Sequence, residues 1–485
     1  MAVMTKSKHS DARRYLGTRT AEVGWLAVVG GFCAALVAWL LTFSPQAASA
    51  FVLVVMVVAL HQYDRRWGIA AMFLLWLVGP MLRRVFLLMT GAVDTDPLSL
   101  APFIATAAIA GLEFARTHVA WSVRRVIVLA SAGFAVGLPL GLASSPEGAM
   151  YASFAYLAGV SGAVLGYGER QSLQESNLRR ILLYAMVPIA AYAIAQRALP
   201  LPVWDREWLE AFDFTSIGGV DTPIRVYASL NGPGTLAPLL GLALLCCLTV
   251  RRHPRMVLVS AVLLTIALSL TFVRSAWVAL IVAGVAHVIA SRWRSARLIL
   301  SAVALIVVTS IALAPFSHTA SDVISRFSTI GNTGSDSSAV ARQASFEQLF
   351  PRAISAPLGH GLGTAGEATR LHGESDLRAV DNGYLSLLYQ VGPIGFALVM
   401  VALGLIAKSA WNGARARAPG QELRLLLFAM LVFLLVQLTS GDVFYGPSGV
   451  ILWFIGGQVL AYEWRRAAIA SPYASSSRST TARQE

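Results

Sequence analysis

The chain has 485 residues, of which 56% are hydrophobic and only 13% are charged. Because about a quarter of the residues in a soluble domain are charged, this composition excludes an ordinary soluble protein. The mean hydropathy is +0.65, and apolar runs of about 17–20 residues recur along the chain, which is typical of membrane-spanning helices. The net charge of +13 would suggest nucleic acid in a soluble chain, but in a membrane chain the positions of the charges decide its meaning.

Fourteen apolar segments predict an all-α polytopic membrane protein with 12–14 transmembrane helices and a large, partly helical periplasmic loop. They are 24–43, 47–61, 67–82, 97–115, 126–143, 149–167, 181–198, 234–250, 256–272, 275–291, 298–315, 383–407, 425–440 and 446–462. The second and third are short, so either could be a re-entrant or tilted element. The first is followed by Ala48-Ser49-Ala50, which resembles a signal-peptide cleavage site. Its apolar core is longer than the 7–15 residues typical of a signal peptide, so we predict an uncleaved anchor.

Basic residues predict the orientation of these spans. With the N-terminus placed inside, 27 of the 38 Lys and Arg residues fall on the inner side and 16 of the 25 acidic residues fall outside. This asymmetry follows the positive-inside rule and places both termini in the cytoplasm of a bacterium, at its inner membrane. Arg83 and Arg84 are the exception, and no feature of the sequence explains them. The inner positive charge therefore reflects topology, and we predict no nucleic-acid partner.

The spans and loops divide the chain into seven predicted parts. They are a cytoplasmic tail (1–23), an N-terminal transmembrane bundle (24–198), a first periplasmic loop (199–233), central transmembrane helices (234–315), a large periplasmic loop (316–382), C-terminal transmembrane helices (383–463) and a cytoplasmic tail (464–485). Loops of more than about 12–15 residues are usually functional or disordered. The two long loops both lie outside, which predicts an active site facing the periplasm.

The two long loops contain several features of their own. Segment 339–353 has a moderately amphipathic helical pattern, with Ser338 as N-cap and with Pro351 expected to end or kink the helix. Residues 359–363 read GHGLG, which fits either a plain turn or backbone N–H groups that approach a ligand. In the first loop, Trp204, Trp208 and Phe212 could stack on sugar rings, although we favour a position at the lipid headgroups.

Three stretches on the outer side carry a resemblance to a known family. They read RVYASLNGPGTLA from Arg225, LTFVRSAWVAL from Leu270, and a third pattern that runs from Arg342 through PLGHGLG to DNGYL at Asp381 and GPIG at Gly392. Their order and topology resemble the bacterial O-antigen ligase and polymerase superfamily. In the second stretch, Val273 stands where the family pattern has a serine.

The resemblance implies a GT-C-like glycosyltransferase that needs no metal or other cofactor. Its substrate would be an oligosaccharide linked to undecaprenyl pyrophosphate in the membrane lipid, and the lipid diphosphate would be the leaving group. It would act as a polymerase that joins repeat units into exopolysaccharide, capsule or O-antigen, or as a ligase that transfers glycan to lipid A–core. The resemblance also leaves room for a chain-length regulator and export machinery as partners.

The last motif favours the polymerase branch. Ligases of this family have a histidine just before or near the asparagine of that motif, and here Asp381 stands before Asn382. The nearest histidines, His360 and His372, are not at that position.

Arginines are the candidate ligands for the pyrophosphate, because a guanidinium offsets phosphate charge through two parallel hydrogen bonds and keeps its proton. Arg274 is the strongest candidate, since a charge in an apolar stretch is costly, although it could also reach the outer headgroups. Arg225 and Arg342 could equally be solvated loop charges. Asn231, in the turn of the first motif, joins them as a substrate-binding candidate.

Asp381 is our first candidate for the general base that accepts a proton from the acceptor hydroxyl. It could instead cap the helix that follows. Asn382 and Tyr384 would orient sugar hydroxyls, although Tyr384 could also be an interfacial aromatic residue. Asp442, His360 and His372 are weaker base candidates.

We predict no metal site. Asp94-Thr95-Asp96 has the spacing of a paired-acidic motif that can hold a divalent cation, but such pairs are common in loops. Cys33, Cys246 and Cys247 have neither zinc-ligand nor disulfide-framework spacing.

The competing class is a secondary transporter or flippase of lipid-linked oligosaccharides. Transporters tend to show internal repeats, interrupted helices and charges in mid-membrane. The spans here are nearly free of such charges and their polar residues gather on one side, which favours an interfacial enzyme.

Overall fold

The computed structural model describes a helical membrane protein. It covers residues 44–91, 97–169, 177–211, 217–218, 224–247, 254–292, 337–372, 377, 380, 382–416 and 420–470. Within these ranges all regular secondary structure is helical, which confirms the all-α polytopic fold class.

The α-helices are numbered here in chain order. They are α1 (Pro45–Tyr63), α2 (Arg65–Thr90), α3 (Ala101–Arg116), α4 (Trp121–Val136), α5 (Leu138–Ser144), α6 (Pro146–Gly168), α7 (Asn177–Ala198), α8 (Val203–Ala211), α9 (Pro233–Cys247), α10 (Pro254–Leu270), α11 (Arg274–Ala290), α12 (Ser337–Ser355), α13 (Gly383–Arg415), α14 (Gln421–Gln437) and α15 (Gly446–Ala470). Two 3-10 helices, Pro97–Leu100 and Gly366–His372, complete the regular structure of the described residues.

Seven helical stretches of the described residues are long and apolar enough to cross a membrane. They are Pro45–Tyr63, Arg65–Met89, Pro97–Arg116, Trp121–Ser144, Pro146–Gly168, Leu178–Ala198 and Gly383–Arg415. The protein is therefore a multi-pass membrane protein. The segments expected to be short are full-length helices here, since α1 has 19 residues and α2 has 26. The predicted spans 24–43 and 298–315 lie outside the described residues.

Small residues let the helices α6 and α15 approach each other closely. A side chain on Gly162 would place its Cβ 2.6 Å from the carbonyl oxygen of Val450, and Gly166 and Gly457 lie even closer to the opposite backbone. Glycine and alanine at such interfaces allow van der Waals contact between helix backbones in the membrane. This pair forms the centre of the bundle.

The helix predicted in the large loop is present as α12, which extends from Ser337 to Ser355. Pro351 does not end it, because the helix continues for another turn beyond this residue. A proline removes only its own N–H from the helical ladder, and a helix near its C-terminus can tolerate that loss.

The long helix α13 is broken at Gly392, where the backbone has φ 66° and ψ 176°. The next residue, Pro393, has no N–H, so the carbonyl group of Tyr389 loses its helical partner. That carbonyl instead accepts a hydrogen bond from the backbone N–H of His360 at 2.9 Å. The GPIG sequence thus creates the break in α13 to which the GHGLG loop binds.

Candidate functional site

A buried ion pair lies near the C-terminal end of α2, at one of the two arginines that contradict the predicted positive-inside pattern. Arg84 and Asp205 are both 0% exposed, and their Nη1 and Oδ1 atoms are 2.5 Å apart. Asp205 also accepts hydrogen bonds from Tyr192 Oη and Gln196 Nε2, both at 2.6 Å. Arg84 is therefore a neutralised interior charge rather than a cytoplasmic topology signal, which explains why it departs from the rule.

This ion pair fixes the backbone of the first motif. Arg84 Nη2 donates to the carbonyl oxygen of Ala228 at 2.6 Å, and Gln196 Oε1 accepts from the Ala228 N–H at 2.8 Å. Ser229 Oγ donates to the carbonyl oxygen of Leu77 at 2.7 Å. Ala228 has a positive φ of 49°, a left-handed conformation that is unfavourable for alanine and is kept by these contacts.

Two aromatic rings cover the same guanidinium. Its carbon lies 4.9 Å from the ring centroid of Tyr227 and 5.4 Å from that of Trp208. Trp208 is only 5% exposed, so the interpretation that favoured a headgroup position is wrong for this residue. It packs on a buried cation instead.

The first and second motifs are in direct contact. Arg225 Nε donates to the carbonyl oxygen of Thr271 at 3.0 Å, and the N–H of Val226 donates to the carbonyl oxygen of Leu270 at 3.3 Å. Thr271 is followed by a tight turn in which Phe272 has φ 54°, and Arg274 then begins α11. The structure therefore brings two of the three candidate arginines to one turn. Both are half-buried.

Asp442 lies in the turn between α14 and α15. Its Oδ2 accepts a hydrogen bond from Tyr156 Oη at 3.0 Å, and its Oδ1 accepts one from the N–H of Phe444 at 3.0 Å. Burial raises the pKa of Asp442 to about 6, and the negative charge of Glu367 adds to the increase, while the two hydrogen bonds oppose it. A carboxyl group with this pKa can exchange a proton near neutral pH.

The DNGY motif begins beside this turn. The N–H of Gly383 donates to the carbonyl oxygen of Leu438 at 2.8 Å, and a Cβ at Gly383 would lie 2.6 Å from the carbonyl oxygen of Gly441. Only glycine fits between the start of α13 and the turn that contains Asp442. Asp381, our first candidate base, lies outside the described residues.

The residues after Asp381 have clear structural roles. Asn382 is the N-cap of α13, since its Oδ1 accepts from the N–H groups of Tyr384 and Leu385 at 3.0 and 3.1 Å. The capping role considered for Asp381 is thus performed by its neighbour. Tyr384 Oη donates to the carbonyl oxygen of Leu435 at 2.9 Å, which connects α13 to α14.

A hydrogen-bonded chain links Asp442 to the GHGLG loop. Gln390 Nε2 donates to Tyr156 Oη at 3.2 Å, and Gln390 Oε1 accepts from the N–H of Gly363 at 2.9 Å. The N–H groups of Gly361 and Leu362 donate to the carbonyl oxygens of Gln390 and Gly137. Because the loop uses its N–H groups inside the protein, its geometry favours the structural interpretation over a ligand-binding one.

His360 is also engaged within the protein. Its ring stacks on Tyr389 with centroids 4.2 Å apart, and its Nε2 lies 3.1 Å from the carbonyl oxygen of Arg352. The residue therefore connects the last turn of α12 to α13 and does not contact Asp442.

Aromatic rings surround the Asp442 turn. The Tyr445 ring lies 5.7 Å from that of Tyr151, 6.1 Å from that of Phe103 and 6.3 Å from that of Tyr156. The buried hydroxyl of Tyr445 has no hydrogen-bond partner among the described residues. Such a cluster offers ring faces and a hydroxyl group beside a titratable carboxyl group.

The first motif and the start of α15, which follows the Asp442 turn, contact two successive residues of α2. Leu77 accepts the hydrogen bond from Ser229 in the first motif, and a Cβ at Gly446 would lie 4.0 Å from the ring of Trp76. His287, near the end of α11, contacts the backbone of Leu425, near the start of α14, so the start of α11 at Arg274 and the end of α14 before Asp442 lie at the same end of the bundle.

The other predicted site residues lie at the edge of this region or outside the described residues. Asn231 is exposed, just before α9. The backbones of Arg342 and His372 lie in α12 and in the 3-10 helix Gly366–His372, but their side chains are outside the described part of the structure. Asp94 and Asp96 lie outside it altogether. Within the described ranges no group of three or more His, Cys, Asp or Glu side chains has the arrangement of a metal site.

Sequence reasoning missed the polar residues that organise the site. They are Arg84, Tyr156, Gln196, Asp205 and Gln390. Several of them are polar or charged groups inside apolar helices, a signal that marks interior networks in membrane proteins.

A comparison with protein families identifies the second and third motifs. No curated protein sequence matches the chain significantly. Residues 259–400 match the family described as O-antigen ligase, whose members are glycosyltransferase-like enzymes that act on lipid-linked polysaccharide. The resemblance is thereby confirmed for residues 259–400, which form a domain of the O-antigen ligase and polymerase superfamily within this multi-pass membrane protein.

Proposed function

We propose that this protein polymerises oligosaccharide repeat units linked to undecaprenyl pyrophosphate, on the periplasmic side of the bacterial inner membrane. The observation that supports it best is the contact between Arg225 and the turn before Arg274, at the same end of the bundle as Asp442. Two guanidinium groups and a titratable carboxyl group are the chemistry that transfer from a sugar pyrophosphate requires.

In the proposed step, a hydroxyl oxygen of the acceptor repeat unit forms a bond to the anomeric carbon of the donor. The bond between that carbon and the pyrophosphate oxygen breaks, and its electron pair leaves with the lipid diphosphate. Arg225 and Arg274, with Arg342, offset the developing negative charge. The hydroxyl proton passes to a carboxylate, for which Asp381 and Asp442 are the candidates. No metal ion takes part in this proposal.

The main alternative is a ligase that transfers glycan to lipid A–core. The description of the matched family favours it, whereas Asp381 at the position of the ligase histidine favours the polymerase. The two reactions share the donor and differ only in the acceptor.

The test uses the purified full chain with a synthetic undecaprenyl-pyrophosphate repeat unit, with and without chelator. We expect elongation that is insensitive to chelator and that Arg274→Ala abolishes. A parallel reaction with lipid A–core as acceptor separates ligase from polymerase. A protein that moves the lipid-linked unit across vesicles without elongating it would be a flippase, and the proposal would be wrong. Elongation by Arg274→Ala at the wild-type rate would exclude the proposed role of Arg274.

A further inference from the structure

A cavity of about 480 Å³ lies between the end of α13, the beginning of α14 and the second half of α15. Helices α13 and α15 begin beside the Asp442 turn and α14 ends there. The 33 residues of α13 would measure about 50 Å in a straight helix. The cavity therefore lies at the opposite end of the bundle from the candidate active site, and the proposed transfer reaction does not use it.

Two arginines give the cavity its charge. The guanidinium carbon of Arg415 lies 4.9 Å from the ring centroid of Trp411, and that of Arg424 lies 5.6 Å from the ring centroid of Tyr462. Stacking on an aromatic face restrains a guanidinium while leaving its N–H edges available to an anion. Two of the lining residues are arginines, and the lining residues that the structure describes include no carboxylate. Arg424 is only 9% exposed.

Neutral donors complete the lining. Ser409 is 2% exposed, and its hydroxyl group has no hydrogen-bond partner within the described part of the chain. Buried polar groups nearly always have a partner, so this hydroxyl indicates a ligand atom that accepts a hydrogen bond. The carboxamide of Asn412 lines the same cavity. The remaining wall, with Val459 and Tyr462, is apolar or aromatic.

We propose that this cavity binds a phosphate group, supplied by the headgroup of an anionic phospholipid or by soluble phosphate. Arg415 and Arg424 would contact the phosphate oxygens, and Ser409 would donate a hydrogen bond. The apolar wall suits the glycerol end of a lipid. The distribution of basic residues predicts that this end of the bundle is cytoplasmic, where anionic lipids attract basic sites between helices.

The test measures binding to the purified full chain in neutral detergent by native mass spectrometry and by the shift of the unfolding temperature. The probes are dioleoylphosphatidylglycerol, dioleoylphosphatidylcholine and inorganic phosphate. Arg415→Ala is the first variant, because Arg415 is exposed and its loss should not impair folding. Arg424→Lys keeps the charge but removes the planar fork. Arg255→Ala is the matched control, since Arg255 is an exposed arginine outside the cavity lining at the start of α10.

We expect phosphatidylglycerol to bind more tightly than phosphatidylcholine, and Arg415→Ala to weaken that binding by about tenfold, the typical worth of one charged hydrogen bond. Arg424→Lys should weaken it as well, and Arg255→Ala should not. If inorganic phosphate stabilises the wild type as strongly as the lipid does, and Arg415→Ala loses this effect, the site takes soluble phosphate. Equal binding of all probes by wild type and Arg415→Ala would overturn the proposal.

Discussion

Two carboxylates at one end of the bundle, the buried Asp205 and the half-buried Asp442, have opposite surroundings. Asp205 faces the guanidinium of Arg84 at 2.5 Å and receives two further hydrogen bonds. Among the described residues, Asp442 receives hydrogen bonds only from a tyrosine hydroxyl and a backbone N–H, and the charge that acts on it is the negative one of Glu367. Asp205 is neutralised by a cation, whereas Asp442 has no cationic partner in the part of the chain that the structure describes.

The difference indicates that Asp205 supports the structure and that Asp442 is available for chemistry. A buried charge with its partner destabilises the fold little, whereas removal of one partner destabilises it strongly. Such a pair is therefore suited to holding the backbone of the first motif in place. A carboxyl group without a cation has a raised pKa and can take up a proton under physiological conditions. We therefore expect substitutions at Asp205 to affect folding and substitutions at Asp442 to affect the reaction.

Asp442→Asn should have the largest effect. If Asp442 is the base, the transfer rate should fall by about 10²–10⁴-fold, the usual contribution of general base catalysis. Because the ionised form must act, the wild-type rate should rise with pH through about 6 and then level off. The rate of elongation, followed across pH 5–9 for the wild type and the variant, measures both the loss of rate and the pH dependence.

Stability provides the control for this variant. Because the pKa of Asp442 in the folded protein is raised above that of an ordinary aspartate, the ionised carboxylate costs stability, and this cost is fully present above pH about 6. Asp442→Asn should therefore unfold at the wild-type temperature or higher at pH 8. The exposed carboxylate Glu210 supplies the matched variant, Glu210→Gln, which should keep the wild-type rate. Full activity of Asp442→Asn would leave Asp381 as the candidate base.

Asp205→Ala should destabilise the protein by about 3–5 kcal/mol, because Arg84 would become a buried charge without its carboxylate. The double variant Arg84→Met, Asp205→Leu removes both charges, and its free energy of unfolding should be much closer to that of the wild type. Thermal unfolding of the purified proteins in detergent measures both. If the double variant were as unstable as the single one, the two side chains would act independently and the structural interpretation would fail.

Arg225→Ala should reduce the transfer rate by about 10²–10³-fold, the usual effect of losing one group that stabilises transition-state charge. Arg225→Lys should recover only part of the rate, because an ammonium group lacks the planar fork. Arg352→Ala changes an exposed arginine of α12 and is the matched control. It should leave the transfer rate unchanged. A similar loss in Arg225→Ala and Arg352→Ala would indicate a general electrostatic effect instead.

Tyr156→Phe should have the smallest effect. The lost hydrogen bond stabilises the Asp442 carboxylate, so its removal should move the rising limb of the pH–rate profile upward by about one to two units. Activity should fall about two- to tenfold near pH 7 and recover above pH 8. An unchanged profile would show that Tyr156 does not influence the titrating group.

The sequence alone predicted the features that depend on local order. Apolar runs identified the spans that become α3, α7 and α13, and the amphipathic segment 339–353 identified α12. The three motifs identified the superfamily. Span lengths were underestimated at α1 and α2, because Gln46, His61 and the paired Arg84 are buried within or beside these helices and interrupt the apolar pattern.

Only the tertiary structure decided which polar residues work together. Arg84 and Asp205 are 121 positions apart, and Tyr156 and Asp442 are 286 positions apart, so no local pattern could pair them. Hydropathy reports the cost of burying a charge but not whether a partner offsets that cost. The chain's composition and basic residues thus determined that this is a polytopic membrane protein and how it is expected to be oriented. Folding determined that Arg84 supports the first motif, that GHGLG binds the break in α13, and that Asp442 lies beside the DNGY motif, with no cation next to it among the residues described.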